Sequence, residues 1–300
     1  DTPKEPECSA VRPACQGDLV GASVVAGTRT QFPAIPTAPD GLVALAGYFQ
    51  GTLSVDGQTR GEPATDEDGF LLVFDKQRKL LWSHFWGGIG AQAVTGVDCT
   101  PGGHVVVQGS RDRDANARAE DPHGMGFVEQ LDQNGELLWS YPLGDGETYP
   151  GHVAIDNDGE ITLVGGFKQS FAFRGLSKAG VGYASYVVHL DADGQGLWLD
   201  TTIPPGWKGA AAQKVVADDE DHVLVLGNGA LATNMSVGYL QKLGPDGAPV
   251  YLEELAASEY VQAGALSVDG KMQVTIGGEF RGTTVLGAVQ HEYFVGGRPL

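Results

Sequence analysis

A block that returns every fifty to sixty residues constrains this chain more than any other feature. Leu131-Asp132-Gln133-Asn134-Gly135-Glu136-Leu137-Leu138-Trp139 recurs as Leu190-Asp191-Ala192-Asp193-Gly194-Gln195-Gly196-Leu197-Trp198. It returns as Phe74-Asp75 through Leu80-Leu81-Trp82, and in weaker form as Leu243-Gly244-Pro245-Asp246-Gly247 through Val250-Tyr251. The closing aromatic steps from Trp82 to Trp139 by 57 residues, to Trp198 by 59 and to Tyr251 by 53. A period of this length with strand-like content means that one supersecondary unit is repeated, as in a propeller, solenoid or array.

Each period carries two hairpin signals. The inner one runs from an apolar strand through an acidic turn to a second apolar strand ending in glycine, at Gly47, Gly109, Gly165, Gly227 and Gly277. Runs such as Leu42-Val43-Ala44-Leu45-Ala46 and Val223-Leu224-Val225-Leu226 are apolar on both faces, which predicts strands covered on both sides. The outer hairpin opens with an aromatic and alternates: Phe70, Leu72 and Phe74 share a face, as do Tyr186, Val188 and Leu190. Asp-Gly and Asn-Gly turns at 134–135, 158–159, 193–194, 246–247 and 269–270 supply residues that adopt positive φ at low cost. Four short strands per period without a helical pattern describe the blade of an all-β propeller.

Five inner hairpins and four complete outer hairpins are present, with a further third strand starting near Phe294. Gly17-Asp18-Leu19-Val20 resembles the fourth-strand segment Gly135-Glu136-Leu137-Leu138. The expectation is therefore five four-stranded antiparallel blades over residues 17–300, with the termini sharing one blade and hiding its edges. Residues 1–16 form a Pro-rich arm whose Cys8 and Cys15 are close enough in sequence for a local disulfide, as suits an exported protein. Stretches 50–68, 111–125, 168–184, 228–237 and 281–292 read as variable loops between second and third strands.

Charge limits the partners. With 19 basic and 38 acidic residues the net charge is −19. Such a surface repels nucleic-acid phosphates and anionic membrane surfaces. No run approaches the length of a membrane-spanning helix.

The outer hairpin Phe-Val/Leu…Leu/Phe-Asp…Gly…Leu-Trp-Ser and the inner hairpin Asp-x-x-Gly…Gly-x-Phe, best seen from Phe127 to Phe167, resemble the bacterial β-propeller repeats of the SBBP type. That resemblance implies a propeller on the exported side of a bacterium, without implying a catalytic activity. The chain departs from the pattern at Tyr251, which replaces the tryptophan, and at 75–79 and 221–222, which lack the turn glycine. Asp132 through Trp139 is also similar to the tryptophan docking motif of pyrroloquinoline-quinone propellers. Those generally have eight blades, and the cofactor and calcium ligand set is not recognisable here.

No catalytic signature stands out: there is no Gly-x-Ser-x-Gly elbow, phosphate loop or zinc spacing. The seven histidines are scattered. Acidic turns such as Asp156-Asn157-Asp158-Gly159 offer calcium-like oxygens, but turn geometry accounts for the same residues. The expectation is thus no cofactor, with calcium at an acidic turn as the alternative, and no assigned metal ligand. Trp86, Trp207, Tyr149 and Tyr260, in the connections between periods, are the candidate ligand-binding residues, able to stack on sugars or anchor a protein. The function expected is a non-enzymatic binding or scaffold module for a protein or glycan, extracellular or in the cell envelope, a lipoprotein if an anchor lies on a segment outside this chain. The alternative is a propeller enzyme, a carboxylate-based hydrolase or lyase or a quinoprotein, with its site in the central funnel.

Overall fold

The computed structural model describes residues 25–34, 36, 41–88, 90–113, 125–256, 259–281, 283–286 and 289–292. The Cys8–Cys15 arm and the strands expected near Leu19 and Phe294 lie outside them. Twenty strands and no helix make up the described residues. Sheet 1 contains β1 (Val25–Ala34), β2 (Val43–Val55), β3 (Gln58–Phe74) and β4 (Leu80–Trp86). Sheet 2 contains β5 (Ala91–Cys99), β6 (Val105–Arg113), β7 (Met125–Leu131) and β8 (Leu137–Leu143). Sheet 3 contains β9 (Thr148–Ile155), β10 (Ile161–Phe173), β11 (Leu176–Leu190) and β12 (Gly196–Asp200). Sheet 4 contains β13 (Trp207–Ala217), β14 (Val223–Leu231), β15 (Ser236–Leu243) and β16 (Pro249–Leu255), joined to sheet 3 by one parallel bridge, Tyr183 to Gly209. A fifth sheet pairs β17 (Tyr260–Val268) with β18 (Val274–Arg281), and β19 (Thr283–Leu286) pairs with β20 (Val289–Glu292).

Successive sheets stack face to face, which is why their strands are apolar on both sides. Val105 and Val107 pack with Ala44, Ala46, Leu71 and Val73 of sheet 1, while the intervening Val106 packs with Val153, Ile161 and Leu163 of sheet 3. Ala154, Val164 and Val187 of sheet 3 then meet Val215, Val225 and Tyr239 of sheet 4. Leu226 and Leu255 meet Val261 and Ala263 of sheet 5.

The recurring glycine and aromatic face each other across the second and third strands: Gly47 opposite Phe70, Gly109 opposite Phe127, Gly165 opposite Tyr186, Gly227 opposite Tyr239. At Gly109, Gly165 and Gly227 the ring lies over the bare glycine backbone, and all four aromatics are buried. In sheet 5 the equivalent glycine is Gly278, opposite Ala263, one residue beyond the Gly277 expected from the sequence. Each first strand also carries one extra residue at the same level, between the pairs Val94–Gly109 and Gly96–Gln108 in sheet 2 and at the matching places in the others. Such a bulge bends the strand and increases its twist.

The acidic turns are built by their first aspartate. Asp132 Oδ1 accepts the N–H groups of Asn134 and Glu136, and Asp75, Asp156, Asp191, Asp218 and Asp269 do the same two and four residues on. The fourth residue takes positive φ: Gly135, Gly159 and Gly194 where glycine is present, and Arg78, Asp221 and Met272 where it is not. In the 269–273 turn the left-handed residue is thus Met272, not the expected Gly270.

The outer tryptophans tie sheet to sheet. Trp82 Nε1 donates to the Gln133 carbonyl at 2.9 Å and Trp198 Nε1 to the Pro245 carbonyl at 2.9 Å, each ring lying against the turn glycine of the next sheet, Gly135 or Gly247. Trp139 lies against Gly194 through its opposite edge, stacked on Tyr141, and its buried N–H has no partner among the described residues.

Four of the expected loops are instead largely strand: 228–237 holds the end of β14 and the start of β15, 281–292 holds β19 and β20, and the other two are long hairpins. Residues 50–68 extend β2 and β3 to a tight turn at Asp56-Gly57, and 168–184 extend β10 and β11 to one at Arg174-Gly175. The cause is continued alternation: Phe49, Leu53 and Val55 are buried, as are Phe167, Phe171 and Phe173.

Candidate functional site

Of the four aromatics singled out in the sequence, the two tryptophans are core residues. Trp86 is 6% exposed and Trp207 8%. The Trp86 ring packs on Phe127, and its Nε1 donates to Glu129 Oε2 at 2.7 Å. Glu129 also accepts Ser140 Oγ at 2.7 Å and pairs with Arg111. Trp207 packs edge-on to Tyr239 and donates Nε1 to Glu254 at 3.1 Å. Each indole is thus enclosed, with its donor satisfied.

The tyrosines stand at the starts of first strands but not at equivalent places. Pro150 faces Gly165 and Ala263 faces Gly278, so Tyr149 lies one residue before that level and Tyr260 three. Both use the same device. The Tyr149 hydroxyl bonds Glu147, with Lys168 Nζ 5.6 Å from the ring centroid and 2.7 Å from the same carboxylate. The Tyr260 hydroxyl bonds Gln262, with the Arg281 guanidinium 5.9 Å from its ring. The four aromatics belong to different sheets, 1, 3, 4 and 5.

What does converge is the set of first strands. A cavity of about 390 Å³ is lined by Pro36 just beyond β1, Val97 and Asp98 of β5, His152 to Ile155 of β9, Val215 to Ala217 of β13, and Ser267 and Val268 of β17. Close approach of the strands shapes it: a Cβ on Gly96 would fall 2.8 Å from the Val153 nitrogen and 2.9 Å from the His152 Cα. Val97, Val153 and Val215 are at most 1% exposed and belong to the cores between sheets, so little of their side chains faces it; Asp98, His152 and Ser267 are its polar residues.

Asp98 bridges two of the strands. Oδ1 accepts its neighbour Cys99 N–H at 2.8 Å, and Oδ2 accepts Ile155 N–H of β9 at 2.8 Å. Burial outweighs these two bonds and pushes the carboxyl up to about 6. His152 is pushed the other way, down to about 3, by burial and then by the charge of Lys214, so its imidazole is neutral at ordinary pH. Its Nδ1 is buried and has no hydrogen-bond partner among the described residues.

These residues break the repeat. Two residues past the level of the second-strand glycine stand Gly96, His152, Lys214 and Ala265 in sheets 2 to 5, and two further on Asp98, Ala154, Val216 and Ser267. No motif in the sequence marks them; alignment of the first strands would have.

A second titratable cluster lies at the inner turn of sheet 3, where donor atoms of Asp156, Glu160 and His189 are within 4.8 Å of one another. All are engaged: Asp156 Oδ1 by its turn, Glu160 Oε2 by His189 Nε2 at 2.9 Å, and His189 Nδ1 by Thr162 Oγ1 at 2.9 Å. That network needs no ion. Cys99 is buried in the core between sheets 1 and 2. No helix of the described residues is long and apolar enough to cross a membrane.

No protein-family model matches the chain, and no curated protein matches it in sequence. Among solved structures it is similar to a protein of unknown function from Dyadobacter fermentans, at 13% identity and a TM-score of 0.47, over 81% of this chain and 74% of that one. Rhamnogalacturonan lyase YesW is similar at 11% identity and a TM-score of 0.38, over 87% of this chain and 60% of that one. The exotype rhamnogalacturonan lyase YesX is similar at 12% identity and a TM-score of 0.38, over 89% and 57%.

Proposed function

We propose that the five sheets are blades of one β-propeller and that the protein is a non-enzymatic binding or scaffold module exported to the bacterial envelope or beyond. The observation that carries this reading is the cavity lined by the first strands of sheets 2 to 5 and by Pro36 just beyond β1, which is what an axial channel would be. The face of sheet 1 turned away from sheet 2 supports closure. Phe70 and Leu72 on that face are fully buried, although it corresponds to the face by which each later sheet packs on its predecessor. Sheet 5 supports it from the other side. Val274 and Ile276 of β18 are each 36% exposed, whereas Val223 and Val225 at the same places in β14 are 1% and 0% exposed. A third and fourth strand, from residues near 293–295 and 19–24, would cover them. The SBBP-like repeat supports the exported setting.

A binding role is favoured over catalysis because the axial cavity has no second carboxylate beside Asp98 among its described lining residues. Asp98 is the one carboxylate there, and each of its oxygens holds a backbone N–H. Two carboxylates flanking a bond, or a nucleophile with a base, are what hydrolysis or elimination requires. The test is to present the purified chain both to a glycan and envelope-protein array and to the same polysaccharides as substrates. Retention without bond cleavage is expected; release of new reducing or unsaturated ends from any polysaccharide would overturn the reading.

A further inference from the structure

We propose that a groove between sheets 2 and 3 holds a neutral saccharide ring, the side-chain amide of Gln130 bonding its hydroxyls. This deepens the proposed binding role and rests on it. The groove has a volume of about 480 Å³, within the range of small-molecule sites, and shares no described lining residue with the axial cavity. Sheet 2 gives it His104, Gln130 and Trp139, and the turns of sheet 3 give Asn157, Asp158 and Asp193.

Val106, Gln130 and Trp139 pair across neighbouring strands and so share a face of sheet 2, the one that Val106 packs against sheet 3. Gln130 is only 5% exposed, yet its amide has no hydrogen-bond partner among the described residues, and neither amide atom is sealed off from the groove it lines. An enclosed amide without a partner is unfavourable until another molecule supplies one. The same place in the other sheets is settled internally. Val73 lies in the core between sheets 1 and 2, His189 Nε2 bonds Glu160, and Lys242 Nζ stands 2.9 Å from Asp218 Oδ2, each carboxylate being on the inner turn of the same sheet. The neighbouring indole differs too. Trp82 and Trp198 reach across to a turn carbonyl of the next sheet, whereas Trp139 is turned the other way and does not bond the matching Ala192 carbonyl. The bridge that spans those two junctions is therefore missing at this one.

The lining sets the ligand class. A saccharide carries donors and acceptors around a ring with apolar C–H faces, and the Gln130 and Asn157 amides pair with either kind of group. Trp139, half-buried, and Leu138, 49% exposed, give the apolar side. No Lys or Arg is among the described lining residues, and Asp158 and Asp193 are exposed carboxylates, so a uronate or sulfated sugar is repelled. A cation gains little, because both carboxylates stand in solvent and the enclosed group is an uncharged amide.

The probes are the methyl glycosides of glucose, galactose, mannose, xylose and rhamnose, with methyl galacturonoside as the anion and cyclohexylamine as the cation, titrated against the whole isotope-labelled chain by NMR. At least one neutral glycoside should bind below about 10 mM and move the Gln130 side-chain amide signals, while the anion and the cation leave them still. Gln130→Val, which puts the residue of sheet 1 in this place, should weaken that glycoside about tenfold without lowering the melting temperature, since it removes an unpaired amide. No neutral glycoside bound at about 10 mM, Gln130 signals unmoved by the one that binds, undiminished binding by Gln130→Val, or tighter binding of the anion or the cation would each overturn the proposal. If Gln130→Val does not fold, the wild-type amide shift decides alone. Failure here with array binding intact sinks only this inference. Polysaccharide cleavage sinks the binding role and leaves the glycoside result standing.

Discussion

Replacing Gly227 by alanine tests the glycine–aromatic pairing that recurs from sheet to sheet. A methyl group there would sit 2.5 Å from the Tyr239 hydroxyl oxygen and closer still to two of its ring carbons. Real Cβ contacts essentially never fall below 3.0 Å. Tyr239 has no room to withdraw, being fully buried beneath Trp207 and the sheet 3–sheet 4 core. Overpacking of this kind costs about 2–3 kcal/mol, offset by less than about 1 kcal/mol gained from the stiffer unfolded chain. At about 2–4 °C per kcal/mol the melting temperature should fall by roughly 2–10 °C. The sharper outcome is coupling. The three nearest obstacles all belong to Tyr239, so in a Tyr239→Leu background the same Gly227→Ala change should cost under about 1 kcal/mol. Gly109 is the control: its nearest obstacle is the Ala93 carbonyl, which is backbone, so Phe127→Leu should not relieve Gly109→Ala. Thermal or denaturant melts of the two double-mutant cycles measure this. If Gly227→Ala costs the same in both backgrounds, or if both glycines are rescued alike, the pairing is not a steric fit and the reasoning fails.

Asp98 gives a pH signature. Its carboxyl is raised to about 6 from 3.8, so the folded chain binds the proton more tightly than the unfolded chain between those values. Its contribution to stability therefore falls as pH rises through that window, by about 3 kcal/mol in all, and stays low above it. Asp98→Asn should remove this dependence, seen as a wild-type minus variant stability that drops from about pH 4 to pH 7; parallel profiles would contradict it. The tryptophans should separate under substitution by phenylalanine. Trp82 and Trp198 each lose a hydrogen bond worth about 1 kcal/mol, whereas Trp139→Phe removes a buried N–H that has no partner among the described residues and should be neutral or mildly stabilising in the same melts. Deleting residues 1–24 should lower the melting temperature by several degrees relative to deleting 1–14, since 17–24 would cover an edge of sheet 5; equal melting would show that they do not.

The repeat made strands, faces and hairpin order legible because each follows from local alternation and turn chemistry. The Asp-x-x-Gly turns and the tryptophan contacts between sheets were legible for the same reason: identical residues returned at one spacing. Features that depend on pairing across the chain were not. The bulge in each first strand has no composition signature, and without it Tyr149 and Tyr260 look equivalent although their registers differ by two residues. Loop and strand were confused at 50–68 because Gly51, Gly57 and Gly61 read as breakers, while buried Leu53 and Val55 held the pairing. Trp86 and Trp207 looked like surface aromatics because their carboxylate partners, Glu129 and Glu254, lie 43 and 47 residues away. Asp98 and His152 carry no motif at all, and only their departure from the aligned columns sets them apart.

The central claim is a ring of five, and pulsed electron spin distances between equivalent outer turns test it most directly. Nitroxides on Gln77, Gln133, Ala192 and Asp246 mark sheets 1 to 4 at matching turns. In a five-fold ring the sheet 1–sheet 3 and sheet 1–sheet 4 separations are the same chord, about 1.6 times the sheet 1–sheet 2 separation. The account predicts that Gln77–Ala192 and Gln77–Asp246 distances coincide. A separation that grows at every step, from Gln133 to Ala192 to Asp246, would mean an open array or a larger ring and would contradict it.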